Sequence, residues 1–353
     1  MQRFFRTFRA LSLFTLTLAA AGCGSEAAPA ESPAGAIQAA DGDPLAAIPP
    51  EEIYGASPVD NLWSPRYELE VVGLPAGWNG ARVAVLSDFQ LGMWKENEAV
   101  ATAAVQRAIE AEPNLIVLLG GFIARGDDLA ALQRVLAPLR GRNALAVLGG
   151  RDVRTDSLEA QITSALQGAG VRVLINNSVP VVVGGDTAWV AGVDPELGGE
   201  PAADQEWILL NAAPAGRAAL LLTHSAGIAL RAPEGRFPVI LAGNTFCGDV
   251  EVPGSSRLTT LRDQVLAGAT VEGIDNLFIV DRNVVMITCG VGYGFVPLRF
   301  GAAPEVPIVT LVRRGGVAPA GADSVAAPAA VADSLIERFQ AGGDSTEAEP
   351  VAN

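Results

Sequence analysis

The residues whose types suit chemistry lie where apolar runs stop. Val83 to Leu86 ends in Ser87-Asp88-Phe89-Gln90, which sets a carboxylate and an amide at the tip of a buried-strand pattern. Leu115 to Leu119 ends in Gly120-Gly121, Ala144 to Leu148 in Gly149-Gly150-Arg151-Asp152, Ala218 to Leu222 in Thr223-His224-Ser225, and Val239 to Ala242 in Gly243-Asn244. Carboxylate, carbonyl and imidazole donors are cation ligands, whereas a guanidinium on a glycine turn suits an anion. Each has a plainer reading beside it. Asp88 caps the turn or helix that follows it, or binds a metal. His224 is the sole histidine, and metal sites recruit several ligands, so a satisfied buried imidazole is the competing assignment. Arg151 pairs with Asp152 or Asp88, or holds an anion against the glycine turn. Asp127 and Asp128 read as acids at a helix start, and Asp194 before Pro195 as a turn residue.

These tips need a frame. In the first half, strand patterns at Ala81 to Leu86, Leu115 to Leu119 and Ala144 to Leu148 alternate with helical periodicity over Glu96 to Glu112 and Asp127 to Leu139. That order predicts parallel β-α-β-α-β, with the polar turns converging at the carboxyl ends of the strands, where open α/β sheets bind ligands. The second half changes to short strands at Val171 to Leu174, Val179 to Val183, Ala188 to Val193, Ala218 to Thr223, Val239 to Ala242, Leu277 to Val280, Val284 to Cys289 and Ile308 to Val312. A second, mixed sheet packed on the first is the expectation.

The ends of the 353-residue chain are of a different character. Arg3, Arg6 and Arg9 precede an apolar stretch, Ala10 to Ala21, that is too short to span a bilayer, and Ala20-Ala21-Gly22 leads into Cys23. This pattern is that of a bacterial lipoprotein signal over residues 1–22 with lipid on Cys23. Residues 23–65 then form an Ala/Pro-rich tether, 66–314 the globular domain, and 315–353 a tail rich in Ala, Pro and Gly. Two cysteines remain, Cys247 and Cys289, which form one disulfide or stay as buried thiols. The formal charge is −15, from 24 Lys and Arg against 39 Asp and Glu. So acidic a body repels phosphate backbones, which excludes nucleic acid bound on a basic face.

From about Arg82 to Val312 the motifs resemble the calcineurin-like metallophosphoesterases, in particular their exported or membrane-associated branch. That family ends successive strands in Ser-Asp-x-His, Gly-Asp, Gly-Asn-His-Asp/Glu, an isolated His, and Gly-His-Thr-His. The counterparts are Ser87-Asp88-Phe89-Gln90, Gly120-Gly121, Gly149-Gly150-Arg151-Asp152, Thr223-His224-Ser225 and Gly243-Asn244-Thr245-Phe246. Further stretches fit too: Gly170 to Asn177, Ala191 to Asp194, Val252-Pro253-Gly254, and Cys289-Gly290-Val291-Gly292 through Gly301. The resemblance implies a layered α/β/β/α sandwich with two packed mixed sheets.

It also implies where a pair of divalent ions would sit. The first ion falls to positions 88, 90, 121 and 246, the second to 121, 150, 224 and 244, and the acid that serves the leaving group to position 151. Of the family's residue types, only Asp88 and His224 stand at these places; the others hold Gln90, Gly121, Gly150, Arg151, Asn244 and Phe246. Two dications about 3.5 Å apart repel by about 19 kcal/mol at an effective dielectric constant of about 20. Gly121 offers no bridging carboxylate against that repulsion, and Arg151 adds a positive charge beside it.

The expectation is therefore a lipoprotein of the bacterial cell envelope, held outside the cytoplasmic membrane by lipid on Cys23. Its phosphoesterase domain has largely lost the dinuclear site, needs no cofactor, and binds a protein or small-molecule ligand of unspecified identity, with no nucleic acid. The alternative is an active hydrolase of phosphomonoesters, phosphodiesters or nucleotide-sugar pyrophosphates, with a single divalent ion at Asp88 and His224 and substrate phosphate on Arg151. A solute-binding lipoprotein shares the order of signal, tether and α/β domain but has two similar lobes, and the strand-rich second half argues against it.

Overall fold

The computed structural model describes residues 59–126, 128–193, 208–211, 219–234, 236–245, 272–274, 276–280, 283–294, 299 and 303–314. Along the chain these form β1 (Arg66–Val71), β2 (Ala81–Leu86), α1 (Glu96–Glu110), β3 (Leu115–Leu119), α2 (Leu129–Leu136), β4 (Ala144–Val147), α3 (Asp156–Gly168), β5 (Arg172–Val173), β6 (Asn177–Val183), β7 (Asp186–Gly192), β8 (Ala219–Ser225), β9 (Val239–Gly243), β10 (Glu272–Ile274), β11 (Leu277–Val280), β12 (Asn283–Ile287) and β13 (Ile308–Arg313). The expectations for Met1 to Cys23, residues 24–58 of the tether, Asp127, Asp194, Phe246, Cys247 and the C-terminal tail lie outside the described residues. Residues 59–65, expected as the end of the tether, instead belong to the domain, because Leu62 is buried in its core and Trp63 bridges to Glu305.

Two sheets carry the molecule. One has the order β1-β13-β2-β3-β4-β5 and the other β10-β11-β12-β9-β8-β7-β6. Strands β2 to β5 run parallel, as do β7, β8, β9 and β12, while β13 lies antiparallel to β2 and parallel to β1. Both sheets are mixed, and sequential strands joined by helices on one face give the α/β/β/α layering.

Burial on both faces explains why the inner strands read as unbroken apolar runs. In β2 and β3, Val83, Val85, Val117 and Leu119 point between the sheets, while Ala84, Leu86, Ile116 and Leu118 point towards the helices. In the second sheet Leu220, Leu222, Val239, Leu241, Val284 and Met286 complete the inter-sheet core. Their neighbours Leu221, Ile240, Val285 and Ile287 face a third cluster with Ile208, Ile228 and Phe237. That outer cluster is covered by helical residues 208–211 and the 3₁₀ segment Ala226–Arg231.

Strands β2 and β3 fall on the residues that the sequence predicts, and the helices are trimmed at their ends. Helix α1 closes at Glu110, ahead of Glu112 at φ 47° and Pro113, because proline disfavours the helical conformation in the residue before it. Helix α2 is capped by Asp128, whose carboxylate accepts from the Ala131 N–H, and continues as a 3₁₀ turn at Ala137–Leu139 around Pro138. Helix α3 is new: Thr155 accepts from the Leu158 N–H as its N-cap, and Leu158, Ile162, Ala165 and Leu166 form its buried face. Strand β1 is new as well. Among the described residues no helix is long and apolar enough to cross a membrane.

Candidate functional site

Parallel strands bring the polar turns together. Past the end of β2 the backbone is stitched on one side to the turn after β3, by Asp88 N–H to Gly120 O, Gln90 N–H to Gly121 O and Leu91 N–H to Phe122 O. On the other side Val291 and Gly292 donate to the carbonyls of Ser87 and Asp88. Asp88 and Gln90 are both buried and sit at φ 58° and 50°. Asn244, across the sandwich, has φ 67°. Side chains in this left-handed region are uncommon and concentrate where surrounding structure forces them, often at functional sites.

The Asp88 carboxylate is engaged by the protein itself. Oδ2 accepts from Ser87 Oγ at 2.6 Å and from the Asn244 N–H at 2.9 Å, and Oδ1 accepts from Gln90 Nε2 at 3.3 Å. Gln90 Oε1 in turn accepts from Arg151 at 3.1 Å. The Gln90 amide thus stands as a neutral relay between a guanidinium and a carboxylate. Asp88 does not cap the helix that follows, whose N-cap position is Lys95. Glycine at 121 is required by two features: φ is 74°, and a Cβ there would come within 2.5 Å of Asp88 Oδ1.

Asp152, one residue beyond Arg151, is completely buried and organises the turn after β3. Its Oδ2 accepts from the N–H groups of Gly121 and Gly149, both at 2.8 Å, and its Oδ1 from those of Phe122 and Ile123 at 3.0 and 3.2 Å. Burial pushes this carboxyl above its ordinary range, against the opposing pull of those N–H groups and of the His224 imidazole. His224 sits at a break in the β8–β9 register between Thr223 and Ser225. Such bulges re-aim a side chain. Here the ring crosses to the first sheet, where Nδ1 lies 2.6 Å from Leu119 O. A carbonyl only accepts, so Nδ1 carries the proton. Nε2 then stands over Gly149, where a Cβ would approach it to 2.8 Å.

The remaining wall is residues 288–292. Glu305 is buried, and its Oε1 accepts from Asn276 Nδ2, Thr288 Oγ1 and the Cys289 N–H at 3.1, 3.0 and 2.8 Å. The buried guanidinium of Arg299 donates to the carbonyls of Cys289 and Gly292. Cys289 is disulfide-bonded, and Cys247, the partner expected from the sequence, lies outside the described residues. Gly290, at φ 73°, packs so closely that a Cβ would meet Asp88 Cβ at 2.8 Å. Asn97 clips this wall to the Asp88 turn, donating to Gln90 O and Tyr293 O and accepting from the Tyr293 N–H. A sequence signal for Asn97 exists: it is the one polar member of the buried stripe that continues through Ala101, Ala104 and Ala108 of α1.

The structure therefore brings Asp88, Gln90, Gly121, Arg151, Asn244 and, beneath them, His224 to one edge of the sandwich. Gly150 lies beside Arg151 with no atom within 4 Å of the place its Cβ would occupy. Among the described residues no three His, Cys, Asp or Glu side chains converge on a point that would hold a metal ion. The donors that do converge do not fit a pair of dications. Asp88 is the only carboxylate among these six residues, the bridging position closes onto it, and Arg151 lies against Gln90.

The Gln90 relay makes a measurable prediction. Gln90→Ala removes the Asp88 and Arg151 contacts and is expected to lower unfolding free energy by about 1–2 kcal/mol. Gln90→Gly removes the same contacts but not the backbone's freedom at φ 50°, so it should recover roughly 1 kcal/mol of that loss. Urea unfolding of both variants compares them, and a glycine variant weaker than the alanine one contradicts the strain.

Fold and site together define a class: a two-sheet α/β sandwich with a polar site at the carboxyl ends of strands from both sheets. No family profile matches the chain. Sequence comparison finds the "Uncharacterized metallophosphoesterase YkuE" of Bacillus subtilis (strain 168), 25% identical over 244 residues that cover 67% of this chain and 81% of that protein. An "Uncharacterized metallophosphoesterase" of Aquifex aeolicus (strain VF5) is 29% identical over 259 residues, 71% of this chain and 92% of that protein. Among solved structures, TT1561 of Thermus thermophilus superposes with TM-score 0.35 at 17% identity, covering 47% of this chain and 83% of that one. The phosphopantetheinyl hydrolase PptH of Mycobacterium tuberculosis does so with TM-score 0.33 at 11% identity, covering 63% and 96%. The chain carries a metallophosphoesterase-like domain.

Proposed function

We propose that this protein is a membrane-anchored lipoprotein of the bacterial cell envelope whose metallophosphoesterase-like domain has given up the dinuclear metal site and serves as a non-catalytic binding or scaffold protein. The observation that carries this reading is the state of Asp88. Its carboxylate is taken up by Ser87, Gln90 and the Asn244 N–H, and it fills the space that a side chain at position 121 would need. Hard-cation sites are built on carboxylates free to coordinate, and neutral amides neither bridge two ions nor offset their charge. The cleft edge with Arg151, Gly150 and Asn244 is then a surface for a protein or small-molecule ligand, with Arg151 as its anion-binding group.

A second reading is supported by the imidazole. With Nδ1–H fixed on Leu119 O, His224 turns Nε2 over Gly149, the ring orientation in which a metal-ligating histidine is held by a carbonyl. A hydrolase with one divalent ion at Asp88 and His224 is the corresponding alternative. Elemental analysis of untagged protein, together with assays on generic phosphomonoesters and phosphodiesters in added Mn²⁺, distinguishes the two. The proposed function predicts well under one equivalent of transition metal and no turnover above background. Near-stoichiometric metal with turnover lost in Asp88→Ala establishes the alternative.

A further inference from the structure

Asn79-Gly80 is the one Asn-Gly pair in the chain, and it stands directly before β2, against the end of β13. The ladder between these two strands ends at the pair Ala81 and Leu311. Beyond it the Gly80 N–H donates to Leu311 O and the Arg313 N–H donates to Asn79 Oδ1, both at 2.8 Å. The side-chain amide thus takes the place of a backbone carbonyl and extends the ladder by one step. Asn79 at φ −64° and ψ 120° and Gly80 at φ 81° have the backbone of the two central residues of a type II turn, the second of which needs a positive φ. Both residues are exposed, and nothing lies within 4 Å of the place that a Gly80 Cβ would occupy.

An asparagine followed by glycine holds an electrophile and a nucleophile side by side. The glycine nitrogen, once a base has taken its proton, attacks the side-chain Cγ; the amide nitrogen departs as ammonia, taking up an equivalent proton, and a five-membered imide is left. Water opens that ring at either carbonyl and leaves aspartate or isoaspartate. Glycine favours the attack because no Cβ stands beside its nitrogen. In the folded chain, geometry holds the reaction back. Ring closure needs the Gly80 nitrogen to eclipse Asn79 Cβ about the Cα–C bond, and ψ of 120° turns it away. Rotating ψ carries the Gly80 N–H off Leu311 O, and drawing Cγ to that nitrogen takes Oδ1 off the Arg313 N–H. The end of β13 must therefore let go first.

We infer that Asn79 is a site of deamidation gated by β13: the amide is preserved while Leu311 and Arg313 hold the Asn79-Gly80 backbone and side chain, and is lost when the end of that strand frays, the kind of local opening that precedes unfolding of a core. The consequence is one-way. Isoaspartate adds a methylene to the main chain between β2 and Trp78, which is fully buried and whose Nε1 donates to Asp186 O in the second sheet. With Trp78 pinned on one side, the lengthened backbone cannot return Gly80 to Leu311 in the same register. A chain that has opened here keeps a covalent record of it.

The test incubates the full-length protein at mildly alkaline pH, folded and in urea, and reads aspartate and isoaspartate at position 79 over time by peptide mass mapping. The unfolded chain should be modified at position 79 ahead of every other asparagine. The folded chain should react roughly tenfold more slowly, because two hydrogen bonds must break together. Leu311→Ala thins the buried packing of β13 while leaving its carbonyl in place, and should raise the folded rate several-fold. If that variant does not fold, wild type in urea below its unfolding midpoint replaces it, and the rate should climb there before the core is lost. Modified protein, once isolated, should melt below unmodified protein, whereas Asn79→Asp, which keeps an acceptor for the Arg313 N–H on an ordinary backbone, should melt within a degree or two of it. Equal rates in the folded and unfolded chain overturn the gate. Earlier modification of the unfolded chain at another asparagine overturns the site, and isoaspartate protein that melts with the unmodified chain overturns the consequence drawn for β13.

Discussion

Replacing Asp152 by asparagine is expected to lower the stability of the domain by about 3 kcal/mol, and replacing it by alanine by about 4 kcal/mol. The carboxylate accepts from four backbone N–H groups, two on each oxygen. An amide keeps one acceptor oxygen but turns an NH₂ group towards the other pair of donors, and alanine orphans all four. A buried N–H without a partner costs about 1–3 kcal/mol, offset in part because the charge held in the interior is also removed. For a domain of this size the asparagine variant should melt roughly 10 °C lower. Calorimetry of wild type and both variants is the measurement, and an asparagine variant within a degree or two of wild type would falsify the assignment of Asp152 as the organiser of the turn.

Gly121→Asp supplies the carboxylate that the family resemblance places at this position, and it is expected to fail twice. The backbone at φ 74° penalises any side chain, and the new Cβ meets Asp88 Oδ1 at 2.5 Å. A second carboxylate beside the first adds like-charge repulsion within a buried site. Together these should remove about 2–4 kcal/mol of unfolding free energy. The variant should gain no tightly held metal, because the neighbouring positions present Gln90, Gly150 and Arg151. Titration with Mn²⁺ or Zn²⁺, followed by calorimetry, reads both effects. Stoichiometric uptake with a raised melting temperature would show that the site was lost only through residue 121.

The frame could be read from the sequence because its physics is local. Runs such as Leu115 to Leu119 announce strands buried on both faces, and the glycine and polar residues after them announce where those strands stop. Helix α3 escaped because its apolar face is thin and interrupted by Ser, Thr and Gln, although Thr155 with Leu158 marked its start. Arg151 invited pairing with a carboxylate, since charge alone suggests the partner. The structure brings it to Gln90 and turns Asp152 inwards, an arrangement set by which backbone N–H groups needed acceptors. Glu305 and Arg299 left no local sign. Their partners at residues 276, 288, 289 and 292 meet them only through the tertiary fold.

The first sheet is completed by a strand from the far end of the described chain. Its inner position between β1 and β2 belongs to β13, the last strand of the thirteen described. Until Arg313 has left the ribosome, β2 lacks its antiparallel neighbour and β1 has nothing to join. Closure of this sheet therefore waits for β13, and such long-range closure is slow. A nascent chain built in this way keeps its first sheet open at the seam between β1 and β2 until a partner about 220 residues downstream of β2 arrives.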